Sequence, residues 1–597
     1  MTVLMMKNYL TPEGQTLLPR TSSSTFSSED IDLDAIDDTG AHTPTPSSRS
    51  RWCSPWIRRY CHRTRARNSS QWLPGRKRGR RSSLMRLLHL SCFIFYMVLC
   101  LILVYGTFLP SYSNPPQRYN DLRHRVQVLN QTANVNNEKV FIVASLYDKD
   151  GELVSGHWGR SVRGLIDILG HDNVFLSIYE NDPNDQSKQA LRTFEESLPC
   201  DNVIKYEHFD KSELPRAVME DGTQRFRRMP FLAEVRNRAL HPLEDKQSKA
   251  HSTRWDKLLY LNDVAFNPID AANLLLSTNV DERTGKTNYN AACALDFTNP
   301  FKYYDTLATR DTDGNTLGVP FYPWFAHAGS GTSRREVLEQ KDAVQVKSCW
   351  GGMVAFEAKW FQSWNQQSAS ESTESAQSGI AEAASNHSIG HTTHAGYQNP
   401  GGRDSADNLP ANPVDPIPTL PLRFRAETDL YWDASECCLI HADLASSAAA
   451  PRAPGVLPAS DTGTGIFMNP YVRVAYFESV LPWIPLAARF ERLYPIPHHF
   501  VNIIGGKPDF NARQFEQPGT EVVDRLWTWD EQSLARINNG TGEEGLQGKF
   551  EDVRRVAKPG MFCGRPEASY LKVPGDEDRP GVNPVYGIVM APSNTKR

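Results

Sequence analysis

Val140–Leu146 reads VFIVASL, a continuous apolar run without a charged residue. A run of that length, bounded by polar sequence, has the character of a strand buried on both faces. Reading forward, Trp158–Leu169 places Val162, Leu165, Ile166 and Leu169 on one helical stripe. Asn173–Tyr179 (NVFLSIY) is a second buried strand, Asp185–Leu198 a second helix, and Val203–Phe209 a third strand. Phe231–Leu240 forms a third helix, and Lys257–Leu261 with its continuation Asn262–Phe266 a fourth strand. Strands alternating with helices imply an α/β fold: a mostly parallel sheet, right-handed crossovers, and helices on its faces. Ligands of such sheets bind outside the carboxyl ends of the strands, so the polar residues there are the candidates for chemistry.

Reading backward, residues 110–138 are polar and suggest a lumenal stem. Residues 87–109, LLHLSCFIFYMVLCLILVYGTFL, are predominantly apolar, with His89 as the only titratable group besides cysteine and tyrosine. About 20 such residues span a bilayer core as a helix, which satisfies its own backbone hydrogen bonds there. The flank Arg51–Arg86 holds 12 Lys/Arg and no carboxylate, so the positive-inside rule keeps it cytosolic and sends the C-terminal bulk across. The run lies too far into the chain, and is too long, for a cleaved signal peptide. This predicts a single-pass type II protein held by a signal-anchor. Residues 1–86, with 15 Lys/Arg against 7 Asp/Glu and no apolar periodicity, are expected to be a disordered basic tail. The remainder holds 50 against 62, which excludes a uniformly basic nucleic-acid binder.

The folded part is expected over 139–510, with a C-terminal extension over 511–597. Two stretches poor in core-forming residues, 365–420 and 445–465, interrupt it as expected disordered insertions. The assigned topology puts Cys53, Cys61, Cys92 and Cys100 on the cytosolic side or in the membrane as free thiols. It puts Cys200, Cys293, Cys349, Cys437, Cys438 and Cys563 in an oxidising lumen, where disulfides persist. Six cysteines allow about 15 full pairings, and the sequence leaves all of them open. Cys437-Cys438 with His441 lacks zinc-site spacing and reads as structural. Sequons at Asn130, Asn386 and Asn539 fall on the lumenal side and agree with a glycoprotein.

At the strand ends, the second strand runs into the acidic turn Glu180-Asn181-Asp182-Pro183-Asn184-Asp185, and the fourth into Asn262-Asp263. A carboxylate closing an apolar strand is costly to bury unless paired or metal-bound. Its oxygens suit Mg²⁺ or Mn²⁺, which bridge to substrate phosphates. The competing reading of Asp263 is an Asx turn. Arg236-Asn237-Arg238 precedes that strand, and a guanidinium fork suits phosphate, although an exposed basic helix face has the same composition. Asp311-Thr312-Asp313-Gly314 and Asp148-Lys149-Asp150-Gly151 have the form of Asp-x-Asp motifs and equally of turns before glycine. No phosphate-loop, Gly-x-Ser-x-Gly or His-Glu-x-x-His pattern occurs.

The segment order resembles nucleotide-sugar glycosyltransferases of the GT-A type, with Ile178–Asn181, Glu234–Asn237 and Leu261–Val264 at the matching places. Asn262 and Val264 stand where that type often has carboxylates. Further ordered blocks are NAACALDF (290–297), Tyr304-Asp305 with Arg310-Asp311, VKSCWGGM (346–353), LRFR (422–425), ASECCLIHAD (434–443) and NPYVRVAY (469–476). Together they resemble the fungal capsule-associated and α-1,3-mannosyltransferase family, glycosyltransferase family 69, across Lys139–Tyr476. A tail match at Gly560–Gly564 extends it.

The resemblance implies a Golgi-membrane enzyme of fungal polysaccharide synthesis with a lumenal catalytic domain. It would move mannose from GDP-mannose to a mannoside acceptor with retention, assisted by Mn²⁺ or Mg²⁺. On that basis Asp263, helped by Asn262, is assigned to metal and diphosphate, and Glu180, Arg236 and Asn237 to the donor nucleotide. Glu436 is assigned to the transferred sugar or acceptor hydroxyl, or else to a salt bridge beside the cysteine pair. The competing functions are a non-catalytic lumenal component of a glycan assembly or export complex, and a glycoside hydrolase acting through two carboxylates.

Overall fold

The computed structural model describes residues 80–148, 150–212, 214–218, 224–362, 418–427, 432–449, 464–533, 547–565, 569 and 571. The tail up to residue 79 with Cys53 and Cys61, most of both expected insertions, and the sequons at Asn386 and Asn539 lie outside the described residues.

Two compact units are distinguished, Phe26–Val104 and the rest of the chain. The described part of the first is most of helix α1 (Arg80–Phe108). Among the described residues it is the one helix long and apolar enough to cross a membrane, over the 24 residues Met85–Phe108. At 1.5 Å per residue that stretch measures about 36 Å, enough for a hydrocarbon core of about 30 Å.

The second unit is built on a nine-stranded sheet. Its strands are β1 (Val140–Leu146), β2 (Val174–Asn181), β3 (Asp201–Glu207), β4 (Lys257–Leu261), β5 (Ala291–Asn299), β6 (Lys302–Tyr303), β7 (Val344–Gln345), β8 (Met353–Glu357) and β9 (Ile466–Ala475). They lie in the order β3-β2-β1-β4-β8-β5-β9-β7, with β6 on β5. All pairs from β3 to β4 are parallel, as is β5 with β9, whereas β8 runs antiparallel between β4 and β5. The sheet is therefore mostly parallel and flanked by helices, as the segment order implied.

The period of two along each strand sorts the apolar side chains into two cores. Phe141, Val143, Leu258, Tyr260, Cys293 and Leu295 share one face, and Val140, Ile142, Ala144, Leu259, Leu261 and Ala292 the other. Helix α2 (Gln117–Gln127), α3 (His157–Leu169), α4 (Asp185–Glu196) and α6 (Pro268–Ser277) cover the second face. Helix α5 (Arg228–Leu240) and α7 (Glu436–Ala449) cover the first. The starts of α4 and α6 are fixed by side-chain caps: Asn184 accepts from the Ser187 N–H, and Asn267 from the Ile269 N–H ahead of Pro268. Two short helices, α8 (Ile484–Ala488) and α9 (Pro495–Ile504), follow β9.

Several expected boundaries shift. Strand β2 continues through Glu180 and Asn181, which pair with Tyr206 and Glu207 of β3, so the acidic turn starts at Asp182. Strand β4 stops at Leu261, and beyond it only Ala265 bridges to Ala475. Helix α7 runs to Ala449, so the interruption begins after that residue and not at Ala445.

Residues 110–138 are not a free spacer. Ser111 N–H bonds the Ala488 carbonyl at 3.2 Å, Tyr119 and Leu122 of α2 are buried, and Ala133 N–H bonds the Ile168 carbonyl at 2.7 Å. A handful of anchoring residues in a polar segment leaves a composition indistinguishable from a linker. Residues beyond 510 are likewise tied in. They form an antiparallel hairpin, β10 (Glu521–Trp529) with β11 (Gly548–Val556), and a disulfide joins Cys563 to Cys438 of α7. A second disulfide joins Cys293 to Cys349, while Cys92, Cys100, Cys200 and Cys437 are free.

Candidate active site

The strand order reverses at β1: the chain steps outward through β2 and β3, then returns to place β4 on the other side of β1. Helix α3, which follows β1, and α5, which precedes β4, pack on opposite faces, so the carboxyl ends of β1 and β4 form the topological switch point outside which ligands of such sheets bind. Tyr147 and Asp148 leave β1 there, Glu180 ends β2, and Asn262-Asp263 leave β4. Glu180 and Asp263 extend from strands two places apart, about 10 Å between strand axes.

On the β1–β2 side, Asp148 folds its own loop. Its Oδ2 accepts from the Leu153 and Val154 N–H groups at 3.0 and 3.1 Å. Its N–H donates to Glu180 Oε1 at 2.6 Å, and its carbonyl accepts from the Ser187 hydroxyl. Glu180 is fully buried, and its Oε2 has no hydrogen-bond partner among the described residues. Burial, reinforced by the charges of Asp148 and Asp182, pushes its carboxyl up to about 8. The raised carboxyl favours its protonated form. Beyond it lies a hollow of about 330 Å³ lined by Asp182, Lys188, Tyr206, Glu207 and His208.

On the β4 side, the assigned residues divide. Asp263 is half-buried at the crevice. Asn262 turns inward and is 2% exposed: its Oδ1 accepts from Trp350 Nε1 at 3.1 Å and faces Arg236 Nη1 at 3.5 Å, so it is engaged in the framework and not offered as a metal ligand. Arg236 is buried as well. Its Nε donates to Glu436 Oε1 at 3.0 Å, with both side chains 1% exposed. The guanidinium lies 4.4 Å from the Trp350 ring centroid and 5.1 Å from that of Tyr260.

Arg236 therefore braces α5 against the start of α7 and is not presented to a nucleotide. Glu436 takes the salt-bridge role, the second of its two sequence readings. Asn237 clamps the Phe424 backbone, donating to its carbonyl and accepting from its N–H, both at 2.8 Å. These arrangements join residues up to 200 positions apart, which no local spacing encodes.

Gly351 and Gly352 complete the support of Asp263. Both have positive φ, +57° and +69°. A Cβ on Gly351 would meet the Ala294 carbonyl oxygen at 1.8 Å, and one on Gly352 would meet Val264 Cγ1 at 2.7 Å. The Gly352 carbonyl accepts from the Asn262 N–H at 2.9 Å, setting the turn from which Asp263 projects.

A third group, not assigned from the sequence, stands behind Asp263. Asp296 of β5 is buried and accepts the Asp305 N–H at 3.0 Å. Asp305 in turn accepts from Thr309 Oγ1, Ala308 N–H and Trp350 N–H at 2.8 to 2.9 Å. Burial and the neighbouring Asp305 push Asp296 up, and burial raises Asp305 too. Desolvation, with Asp296, Tyr304 and Asp263 close by, raises the Tyr476 hydroxyl, whose ring meets Tyr304 edge-on at 4.5 Å. Asp296 lies inside the apolar strand β5, between the buried Leu295 and Phe297, a carboxylate in an otherwise apolar run.

The two Asp-x-Asp triplets are turns. Asp311 Oδ1 accepts from the Asp313 and Asn315 N–H groups at 2.9 and 2.8 Å, while Asp148 behaves as described. His441 is buried, with Nδ1 on the Cys437 carbonyl at 2.8 Å and Nε2 3.9 Å from Cys293 Sγ. Burial pushes its pKa down to about 4. Cys293, Cys349 and His441 form the one group of three metal-capable side chains among the described residues, and the Cys293–Cys349 disulfide withdraws both thiolates from that role. Asp263 is half-buried after β4 and belongs to no group of three metal-capable side chains among the described residues.

A family model described as Cryptococcal mannosyltransferase 1 matches residues 139–443. No curated protein matches the chain. Among solved structures, the chain is similar to "Mannosyltransferase PcManGT from Pyrobaculum calidifontis in complex with GDP-Man and Mn2+". Identity is 11% and the TM-score 0.21, with 46% of this chain and 56% of that chain covered.

Proposed function

Because the chain belongs to the family described as Cryptococcal mannosyltransferase 1, whose model spans residues 139–443, we propose that it transfers mannose from GDP-mannose to a mannoside acceptor. In this reading the transfer is of the α-1,3 type, retains the anomeric configuration and is metal-assisted. The observation that carries it is Asp263, half-buried at the reversal point of a parallel sheet, with Glu180 across the crevice.

Departure of a nucleoside diphosphate develops negative charge on phosphate oxygen, and a divalent ion there would neutralise it. Asp263 would hold that ion. In this reading Glu180, whose Oε2 has no hydrogen-bond partner among the described residues, would face the donor nucleotide. Arg236 and Glu436 are positioning residues: they fix Asn262, and through it the direction of Asp263. Retention calls for no general base opposite the sugar, and no nucleophile is named. The two disulfides support an oxidising compartment for the folded unit. With the basic flank at 51–86, they favour a type II protein of the Golgi membrane with this unit in the lumen.

The test offers the full chain in detergent a panel of sugar nucleotides and a mannobiose acceptor, with and without Mn²⁺. We expect GDP-mannose to be turned over and Mn²⁺ to stimulate the reaction. Asp263→Asn should lower turnover by about 100-fold or more at an unchanged melting temperature. Full activity in that variant refutes the metal assignment.

A second reading, a non-catalytic component of a glycan assembly or export complex, is favoured by Asn262 and Val264 flanking Asp263 and by the internal engagement of Arg236 and Asn237. Absence of both donor binding and turnover would select it.

A further inference from the structure

Helix α9 is amphipathic the wrong way round for a helix facing water. Its buried positions are polar: His498 Nε2 faces the Val319 carbonyl at 3.1 Å, and Asn502 Oδ1 accepts the Val319 N–H at 2.7 Å. Its outward positions are Ile496, Phe500, Ile503 and Ile504, a spacing of four, seven and eight that makes one face. Trp483, which ends the turn before α8, and Leu486 within α8 are exposed as well. These six side chains are between 48% and 75% exposed. In the segment 481–506 the exposed charges are Arg489 and Arg492, while the single carboxylate, Glu491, is buried on Arg473 at 2.6 Å. An apolar face bordered by arginines, with a tryptophan at its edge, is the composition of a helix that lies in the headgroup layer.

The covalent chain says what covers this face. The apolar membrane run ends at Leu109, and the Ser111 N–H is already bonded to the Ala488 carbonyl at the end of α8. Tyr112 holds the attachment: its hydroxyl donates to the Val337 carbonyl at 3.1 Å, and its ring meets Tyr471 at 4.8 Å. Two residues of extended chain reach at most about 7 Å. The carboxyl end of α8 is therefore tied close to the end of the apolar run, whatever direction that run takes. We infer that α8 and α9 form a second membrane contact, with the outward face of Trp483–Ile504 seated at the headgroup–acyl boundary of the bilayer that α1 crosses. The folded unit then touches the lipid surface through this face. The inference does not depend on the transfer reaction.

The test uses the full chain in nanodiscs of phosphatidylcholine and phosphatidylserine, doped with a phosphatidylcholine bearing a diazirine on its acyl chain. After illumination, label is mapped by peptide mass spectrometry. We expect peptides from 481–506 to carry about fivefold or more label than peptides of α4, an exposed polar helix. The triple change Phe500→Ser, Ile503→Ser, Ile504→Ser should cut that label about threefold or more. Wild-type labelling decides the question if the triple variant fails to fold. Label confined to peptides of α1 overturns the inference. So does protection of 481–506 in discs that hold two cross-linkable copies, which would identify a second chain as the cover.

Discussion

Replacing Glu436 by Gln tests whether that residue acts as a brace or in the chemistry. The variant keeps the shape of the side chain and removes its charge, leaving the Arg236 guanidinium charged among Trp350, Tyr260 and Phe424. Both partners are 1% exposed and their contact is 3.0 Å, so solvent offers little compensation. Breaking one side of such a pair costs about 3–5 kcal/mol. A domain larger than 250 residues loses about 2 °C of melting temperature per kcal/mol, which gives a fall of about 6–10 °C. The double variant Arg236→Met, Glu436→Leu removes both charges at similar volume. It should recover most of that loss, because desolvating the pair offsets much of its attraction. The assay is thermal unfolding of the full chain followed by tryptophan fluorescence, with GDP-mannose turnover measured on the same samples. If Glu436→Gln melts with the wild type while turnover collapses, the residue touches the reacting sugar and the bracing argument is refuted.

Two further outcomes follow from the crevice. Burial raises the Glu180 carboxyl to about 8 in the folded protein, against about 4.3 when unfolded. The folded state thus binds the proton more tightly, and the stability this confers is complete below pH 4 and is lost as pH rises through about 8. Glu180→Gln, permanently neutral, should melt like the wild type near pH 5 and above it near pH 9; parallel melting curves across that range would contradict the raised carboxyl. Gly352→Ala places a Cβ 2.7 Å from Val264 Cγ1 at φ +69°, and should cost about 1–3 kcal/mol and lower turnover more than a surface Gly→Ala such as Gly285→Ala, where nothing lies within 4 Å. Equal effects at the two glycines would show that the turn behind Asp263 is not constrained.

What could be read from the sequence has a physical pattern. Strands β1, β2 and β4 are buried on both faces, so their apolar runs are unbroken, and Val140–Leu146 has its observed limits in the sequence. A charged residue normally ends a buried strand, so the sequence points to a turn at Glu180, whereas β2 continues through it and pairs with Tyr206 of β3. Asp263 was visible because a carboxylate after an apolar strand is rare. The directions of Asn262, Arg236, Asn237 and Glu436 are not legible in the sequence. A sequence shows which polar residues gather at a site, whereas which of them turn inward is settled by partners such as Phe424 and Trp350, contributed from far along the chain.

The stem and the α8–α9 face share a single cause of illegibility. Periodicity reports that a helix has an apolar side without saying whether that side meets protein or lipid, and polarity reports a solvated segment without saying whether two or three of its residues are fixed. Ser111 and Tyr112 decide both cases together. Once they are anchored beside α8, the slack that a stem requires is gone. The outward isoleucines of α9 then have the lipid surface inferred above to meet.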